Sequence, residues 1–234
     1  MHYLCEQHWS ELHPRKPRTR AAALNWLLPR LAGFAQLHPD ITLNLSSRTR
    51  PFLFDDTTMD AANYAGDGHW PGAVTTHLMP ETLVPVCSPA LIAPRKKLTP
   101  QQLAELPLLQ QSTRPYAWRH WFESIGHVPG NELAGPRYEL FFMSLQAAAV
   151  GLGVALVPEY DIGDDLTSGR LVIPVQHFCP SDRAYYLSIP ERKADNPVLE
   201  VFKAWLIEEM NTYNATAEQA RLLRAKPKAR TAVA

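Results

Sequence analysis

Apolar residues recur along this chain with two alternating periods. Over residues 22–37, Leu24, Leu27, Leu28, Leu31, Phe34 and Ala35 fall at helical spacing. Pro29 lies inside that run and predicts a late start or a kink, and His38-Pro39-Asp40 ends it. Ile41, Leu43 and Leu45 then alternate with Thr42 and Asn44, the period of a half-buried strand that leaves Ser46 and Ser47 at its end. A weaker strand over 60–65 leads to the Gly66-Asp67-Gly68 turn, and 83–87 is an apolar strand broken by Pro85. Thr99 and Gln102 form a capping box for a short helix over 101–105. A strand over 106–110 follows, and then the loop Ser112-Thr113-Arg114-Pro115. Trp118, Trp121, Phe122 and Ile125 share one helical face that Gly126 stops, and 138–142 reads as a strand.

The most organised stretch is 143–158, MSLQAAAVGLGVALVP. Ser144 reads as an N-cap, the alanines as a helix, and Gly151 and Gly153 as its stop. Val154, Ala155, Leu156 and Val157 then form a short run apolar at every position, which predicts a strand covered on both faces. Further strands are expected over 171–175 and 185–189. The last helix starts at Asn196-Pro197, with Val198, Val201, Phe202, Trp205 and Leu206 inward. Strands and helices alternate, so the fold class is α/β. Proline-punctuated segments near Cys87 and Pro190 are the expected crossings between two lobes. One lobe comprises 21–86 plus 190–214 and the other 87–189. Residues 1–20 read as a loose, patternless leader and 215–234 as a flexible basic tail.

Composition narrows the function. The 234 residues carry 23 basic and 23 acidic side chains, and this balance argues against DNA binding by these residues alone. Three dispersed cysteines, Cys5, Cys87 and Cys179, imply no disulfide framework and fit a reducing compartment. No run has the length of a signal peptide's apolar core or a membrane span, so a cytoplasmic protein with no membrane partner is expected. Cys5, His8 and His13 lack a fourth ligand at zinc-finger spacing, and neither metal nor cofactor is expected. Cys87 lacks an activating motif, the Gly151 and Gly153 pair follows a helix rather than a strand, and no hydrolase or P-loop signature occurs. A non-enzyme is predicted.

Six segments in order, WLLPRLAGFAQLHPDITLNL, DAANYAGDGHWPG, LVPVCSP, LQAAAVGLGVALVP, LTSGRLVIPV and YYLSIPE, resemble the effector-binding domain of LysR-type transcriptional regulators. The nearest subgroup is that of the glycine-cleavage activators and β-lactamase regulators, and the likeness covers roughly 22–210. It implies a two-lobed fold of the type 2 periplasmic-binding-protein kind, with two crossover segments and a small-molecule effector between the lobes. It also implies a homodimer or tetramer built on the helices at Leu27, Arg30, Leu31 and Phe34 and at Leu145, Ala148 and Ala149. Family members carry a winged helix-turn-helix that the first twenty residues do not show, so DNA would be reached only through a domain outside this sequence. The family also has a strand just before the first helix, where this chain has Pro14-Arg15-Lys16-Pro17-Arg18, so an inner strand of the first lobe is expected to be missing. Asn63 and Ala65 stand where the family usually has an aliphatic and an aromatic residue. A stand-alone small-molecule binder, or a dominant-negative partner of full-length relatives, is the alternative.

For the effector, the expected contacts are strand-end and helix-start hydroxyls: Ser46, Ser47, Ser112, Thr113 and Ser144. Tyr185 and Tyr186 alternate, so one faces the cleft, and Tyr186 is preferred. Asp55 and Asp67 are candidate amine ligands.

Overall fold

The computed structural model describes residues 2–6, 22–47 and 52–225, with side chains within 26–46 and 52–219. The chain runs β1 (His2–Glu6), α1 (Ala22–Leu37), β2 (Leu43–Ser47), β3 (Ala61–Gly66), β4 (Ala73–Val86), α2 (Pro89–Ile92) and α3 (Pro100–Ala104). It continues with β5 (Leu108–Gln111), α4 (Ala117–Glu123), β6 (Arg137–Tyr138), α5 (Phe141–Ala149), β7 (Val154–Pro158), α6 (Gly163–Thr167), β8 (Cys179–Pro190) and α7 (Pro197–Ala225). All described strands join in one ladder, β2-β1-β3-β8-β4-β7-β5-β6.

Two cores sit on that ladder. Trp26, Leu27 and Phe34 of α1 and Phe202, Trp205 and Leu206 of α7 pack on Tyr185, Leu187 and Ile189 of β8. The second core joins Trp118, Trp121 and Phe122 of α4 and Leu145 and Ala148 of α5 to Val84, Leu109 and Val157 of the strands between them. On the opposite face of β3, Phe54, Met59, Ala62, Tyr64 and Trp70 form a smaller cluster. Among the described residues, only β4 and β8 contribute to both main cores. They pair antiparallel from Ala73 opposite Pro190 to Leu83 opposite Cys179, with register breaks at 77–79 and 80–82. The molecule is therefore a two-lobed α/β fold whose crossover segments are two continuous strands.

Local chemistry accounts for several elements. Thr99 Oγ1 accepts from the Gln102 amide at 3.3 Å while Gln102 Oε1 accepts from the Thr99 amide at 3.1 Å, and Pro100 opens α3. Asn196 Oδ1 accepts from the Val198 amide at 2.9 Å at the start of α7. β7 is buried at all five positions, as its apolar run predicts.

Several expectations are corrected. His2–Glu6 is a strand, inserted in parallel between β2 and β3, so the first lobe has an inner strand where a gap was expected. Residues 7–21, with His8, His13 and the proline-rich segment, lie outside the described residues. α1 runs through Pro29. β4 and β8 begin well before the apolar runs, at Ala73 and Cys179. Their change of core lies between Met79 and Leu83 and between Cys179 and Tyr185, whereas Pro190 closes the far end of β8. The apolar run over 138–142 is not a strand, because β6 ends at Tyr138 and α5 begins at Phe141. Over 171–175 only a bridge between Cys87 and Val172 forms. α7 continues to Ala225, past the point where a tail was expected.

Candidate functional site

Strand direction places the site. β1, β2 and β3 are mutually parallel, and β3 and β4 both run antiparallel to β8, so these four share one direction. β7 runs antiparallel to β4, and β5 and β6 run parallel to β7. The carboxyl ends of β1–β3 therefore point toward those of β5–β7, across the segment where β4 and β8 pass between cores. Carboxyl ends of parallel strands are where α/β folds expose loops and helix starts to ligands.

On the second-lobe side, the Gln111 amide at the end of β5 gathers the surrounding loops. Its Nε2 donates to the Glu139 carbonyl and, at 3.4 Å, to Thr113 Oγ1, while its Oε1 accepts from Ser144 Oγ at 3.1 Å. The Ser112 amide donates to the Tyr138 carbonyl at 2.8 Å. Ser144 is not the helix cap. Leu140 is, and the Ser144 amide donates to the Leu140 carbonyl at 3.2 Å, so no free N–H remains there. The Ser144 hydroxyl is buried beneath α5, Thr113 is half-buried and Ser112 is exposed. Ser46, half-buried, pairs with Cys5 of β1, and Ser47, the last residue of β2, pairs with Glu6.

The floor between the lobes carries an ion pair that the sequence reading missed. Glu81 of β4 is 0% exposed and Arg114 7%. Arg114 donates from Nε to Oε2 at 3.3 Å and from Nη2 to Oε1 at 3.1 Å, and from Nη1 to the Thr113 carbonyl at 3.1 Å. Ser181 Oγ donates to Oε2 at 2.7 Å and the Tyr185 hydroxyl to Oε1 at 2.9 Å. Burial presses the Glu81 pKa upward, but the Arg114 charge and these hydrogen bonds outweigh it and hold the carboxyl below its ordinary value. Burial lowers the Arg114 pKa and Glu81 raises it more, so the guanidinium stays charged. Tyr160 stands edge-on to Tyr185 at 5.0 Å. Burial, first of all, lifts both phenols well above their ordinary pKa.

The two tyrosines divide between the faces of β8. Tyr185, not Tyr186, joins the crossing network, because alternate residues of β8 face opposite sides of the sheet. Tyr186 packs on Tyr64 at 5.7 Å and His77 at 5.3 Å, over Gly68, where a Cβ would come within 3.0 Å of its ring. Asp55 pairs with Arg192, and Asp67 Oδ1 accepts from the His69 amide at 3.0 Å, so both serve local structure. Among the dimer candidates, Leu27, Phe34, Leu145 and Ala148 are at most 1% exposed inside their own lobes and are closed to a second copy. Arg30, Leu31 and Ala149 remain half-buried. The large apolar residues exposed here are Leu28 and Leu37 on α1 and Met143 on α5, with Val150 and Leu152 just beyond it. Cys87 is 0% exposed, and burial pushes its thiol up to about 11, which removes the thiolate at neutral pH. Among the described residues no group of three or more metal-ligating side chains occurs, and no helix is long and apolar enough to cross a membrane.

Similarity to known proteins agrees with this geometry. The chain is 34% identical to the glycine cleavage system transcriptional activator of Escherichia coli (strain K12) over 200 residues, 84% of this chain and 63% of that protein. It is 35% identical to the HTH-type transcriptional regulator PerR of the same organism over 191 residues, 81% of this chain and 63% of that protein. It thus spans less than two thirds of the length of these relatives. The effector domain of the transcriptional regulator AmpR of Pseudomonas aeruginosa superposes with a TM-score of 0.77 at 24% identity, covering 94% of this chain and 98% of that one. The AmpR effector-binding domain from Citrobacter freundii gives 0.76 at 22%, covering 90% and 98%. These structures share the fold. The family model described as LysR substrate binding domain matches residues 19–211, and with the convergent strand ends and the two relatives it places this chain in that family.

Proposed function

We propose that this chain is the effector-sensing domain of a LysR-type transcriptional regulator and that it holds a small molecule in the gap between its lobes. One observation carries the reading: strands from both lobes end on the same gap, with the Gln111–Ser144–Thr113 cluster at one wall and Ser46 and Ser47 at the other. The lobes in this proposal are 2–6 with 22–79 and 185–214 for the first and 83–179 for the second, joined by the crossing segments of β4 and β8. The effector would shift the populations of their relative orientations, to the extent that it binds one more tightly than another. In a whole protein that change would reach DNA through a helix-turn-helix domain of the kind named in the relatives.

A thermal-shift screen of amino acids and aromatic acids tests the reading. A ligand in excess over its Kd raises the unfolding temperature, and a hundredfold excess adds about 2.7 kcal/mol. Ser144→Ala and Ser46→Ala should each weaken the stabilising ligand, by up to about tenfold for a lost hydrogen bond. A ligand whose stabilisation is indifferent to both substitutions binds outside the gap and sinks the proposal.

A further inference from the structure

One cationic side chain at the lobe crossing lacks a partner among the described residues. Arg183 follows Ser181 on β8 and is half-buried. Among the described residues its guanidinium forms no hydrogen bond or ion pair, and only its main-chain amide is engaged, donating to Ser181 Oγ at 3.0 Å. Burial, and then the Arg114 charge, press its pKa down, against weaker opposing pulls from Glu81 and Asp182. Glu81 is not available as its counter-ion, because Arg114, Ser181 and Tyr185 already occupy both carboxylate oxygens. Asp182 is exposed at the rim of the adjacent cavity and, among the described residues, forms no salt bridge. A cation partly withdrawn from water beside a second cation is stabilised by a paired anion, and none of the described residues forms that pair with Arg183.

Next to it lies a cavity of about 180 Å³, closed by the loop between β5 and α4 on one side and by the crossing strands on the other. Leu83, Pro115, Ala117 and Cys179 give it an apolar wall, and the exposed rings of Tyr116 and His120 border it beside Arg183. At about 30 Å³ per water the space equals roughly six waters, room for one small ring. Arg114 adds positive potential, with three of its five N–H donors committed to Glu81 and the Thr113 carbonyl.

We propose that this cavity is a second ligand site and that it takes a small aromatic carboxylate. Arg183 holds the carboxylate, with the paired geometry that a guanidinium offers, and the apolar wall and Tyr116 hold the ring. The site does not use the Gln111–Ser144 cluster and stands whether or not that cluster binds an effector. Because Arg183 belongs to a strand shared by both lobes and the wall belongs to the second lobe, occupancy ties the crossing to α4.

Calorimetric titration of the purified chain with sodium benzoate, benzamide and inorganic phosphate tests the assignment, alongside Arg183→Gln and the cavity-filling Ala117→Leu. Benzoate should bind saturably at one site, benzamide and phosphate at least tenfold more weakly, and each variant should lose benzoate by tenfold or more while keeping its unfolding temperature. If one variant fails to fold, the other still reports. No saturable heat with benzoate overturns the proposal, as does equal binding of benzamide. Equal binding of phosphate means a general anion site, and benzoate binding that survives both substitutions means a site elsewhere; each also overturns it.

Discussion

Glu81 shows most sharply what one side chain contributes here. It lies fully buried in a strand, and its four hydrogen bonds come from Arg114, Ser181 and Tyr185. Replacing it with Gln leaves the Arg114 cation buried without its counter-charge, a loss that costs about 3–5 kcal/mol. Urea denaturation should show that drop for Glu81→Gln, whereas Glu81→Leu combined with Arg114→Met should recover most of it. Equal losses in the single and double variants would contradict the assignment. The sign with pH follows from the direction of the shift. The folded pKa lies below the ordinary value of 4.5, so the stabilisation is fully present above 4.5 and is lost as pH falls through the folded value. The acid limb of the stability profile should therefore flatten in Glu81→Gln. Nothing in the sequence announced this residue, because a lone carboxylate between Pro80 and Thr82 reads as solvated until its partner, thirty-three positions on, is known.

Among the elements, the α5–β7 unit was the most legible and its beginning the least. Gly151 and Gly153 mark the helix end from composition alone, and the VALVP run can only be a covered strand. The start failed because Leu140, Phe141 and Phe142 look alike as strand or helix, which moved the helix onset onto Ser144. The two glycines differ physically. A Cβ on Gly153 would stand 2.3 Å from the Pro107 carbonyl oxygen, beside the bond at 2.8 Å by which the Val154 amide begins the contact with β5. A Cβ on Gly151 meets open space, and only its φ of +85° resists substitution. Gly151→Ala should cost about 1–2 kcal/mol, and Gly153→Ala clearly more, because main-chain atoms must part. Chemical denaturation of the two variants checks the order, and equal costs would show that β7 shifts freely. The long strands β4 and β8 were legible only at their apolar ends. Thr75, Thr76 and His77 precede the first buried apolar pair of β4, Leu78 and Met79, and the segment 180–184 carries the polar residues of β8 between its two cores, so no single period marks either strand.

At the scale of the whole molecule, the fold class and the order of motifs were readable, and the partition of each helix between core and surface was not. Helical spacing put Leu27 and Phe34 on an apolar face, the resemblance put that face at a pairing surface, and the structure buries both residues inside their own lobe. If the domain pairs through α1 and α5, as the exposed Leu28, Leu37, Met143 and Val150 allow, then Leu28→Glu with Val150→Asp should give a monomer by light scattering under conditions where the native chain is a dimer. A dimer that persists would place the contact elsewhere. The shared strands also bear on how the protein is made. The second core closes with residues that end at Cys179, whereas the first needs Phe202, Trp205 and Leu206 near the end of the chain to cover Phe34 and Trp26. On the ribosome, the inserted half can thus reach its final packing while the flanking half still waits for its closing helix, and for that interval the nascent chain presents an uncovered face of β8 to chaperones.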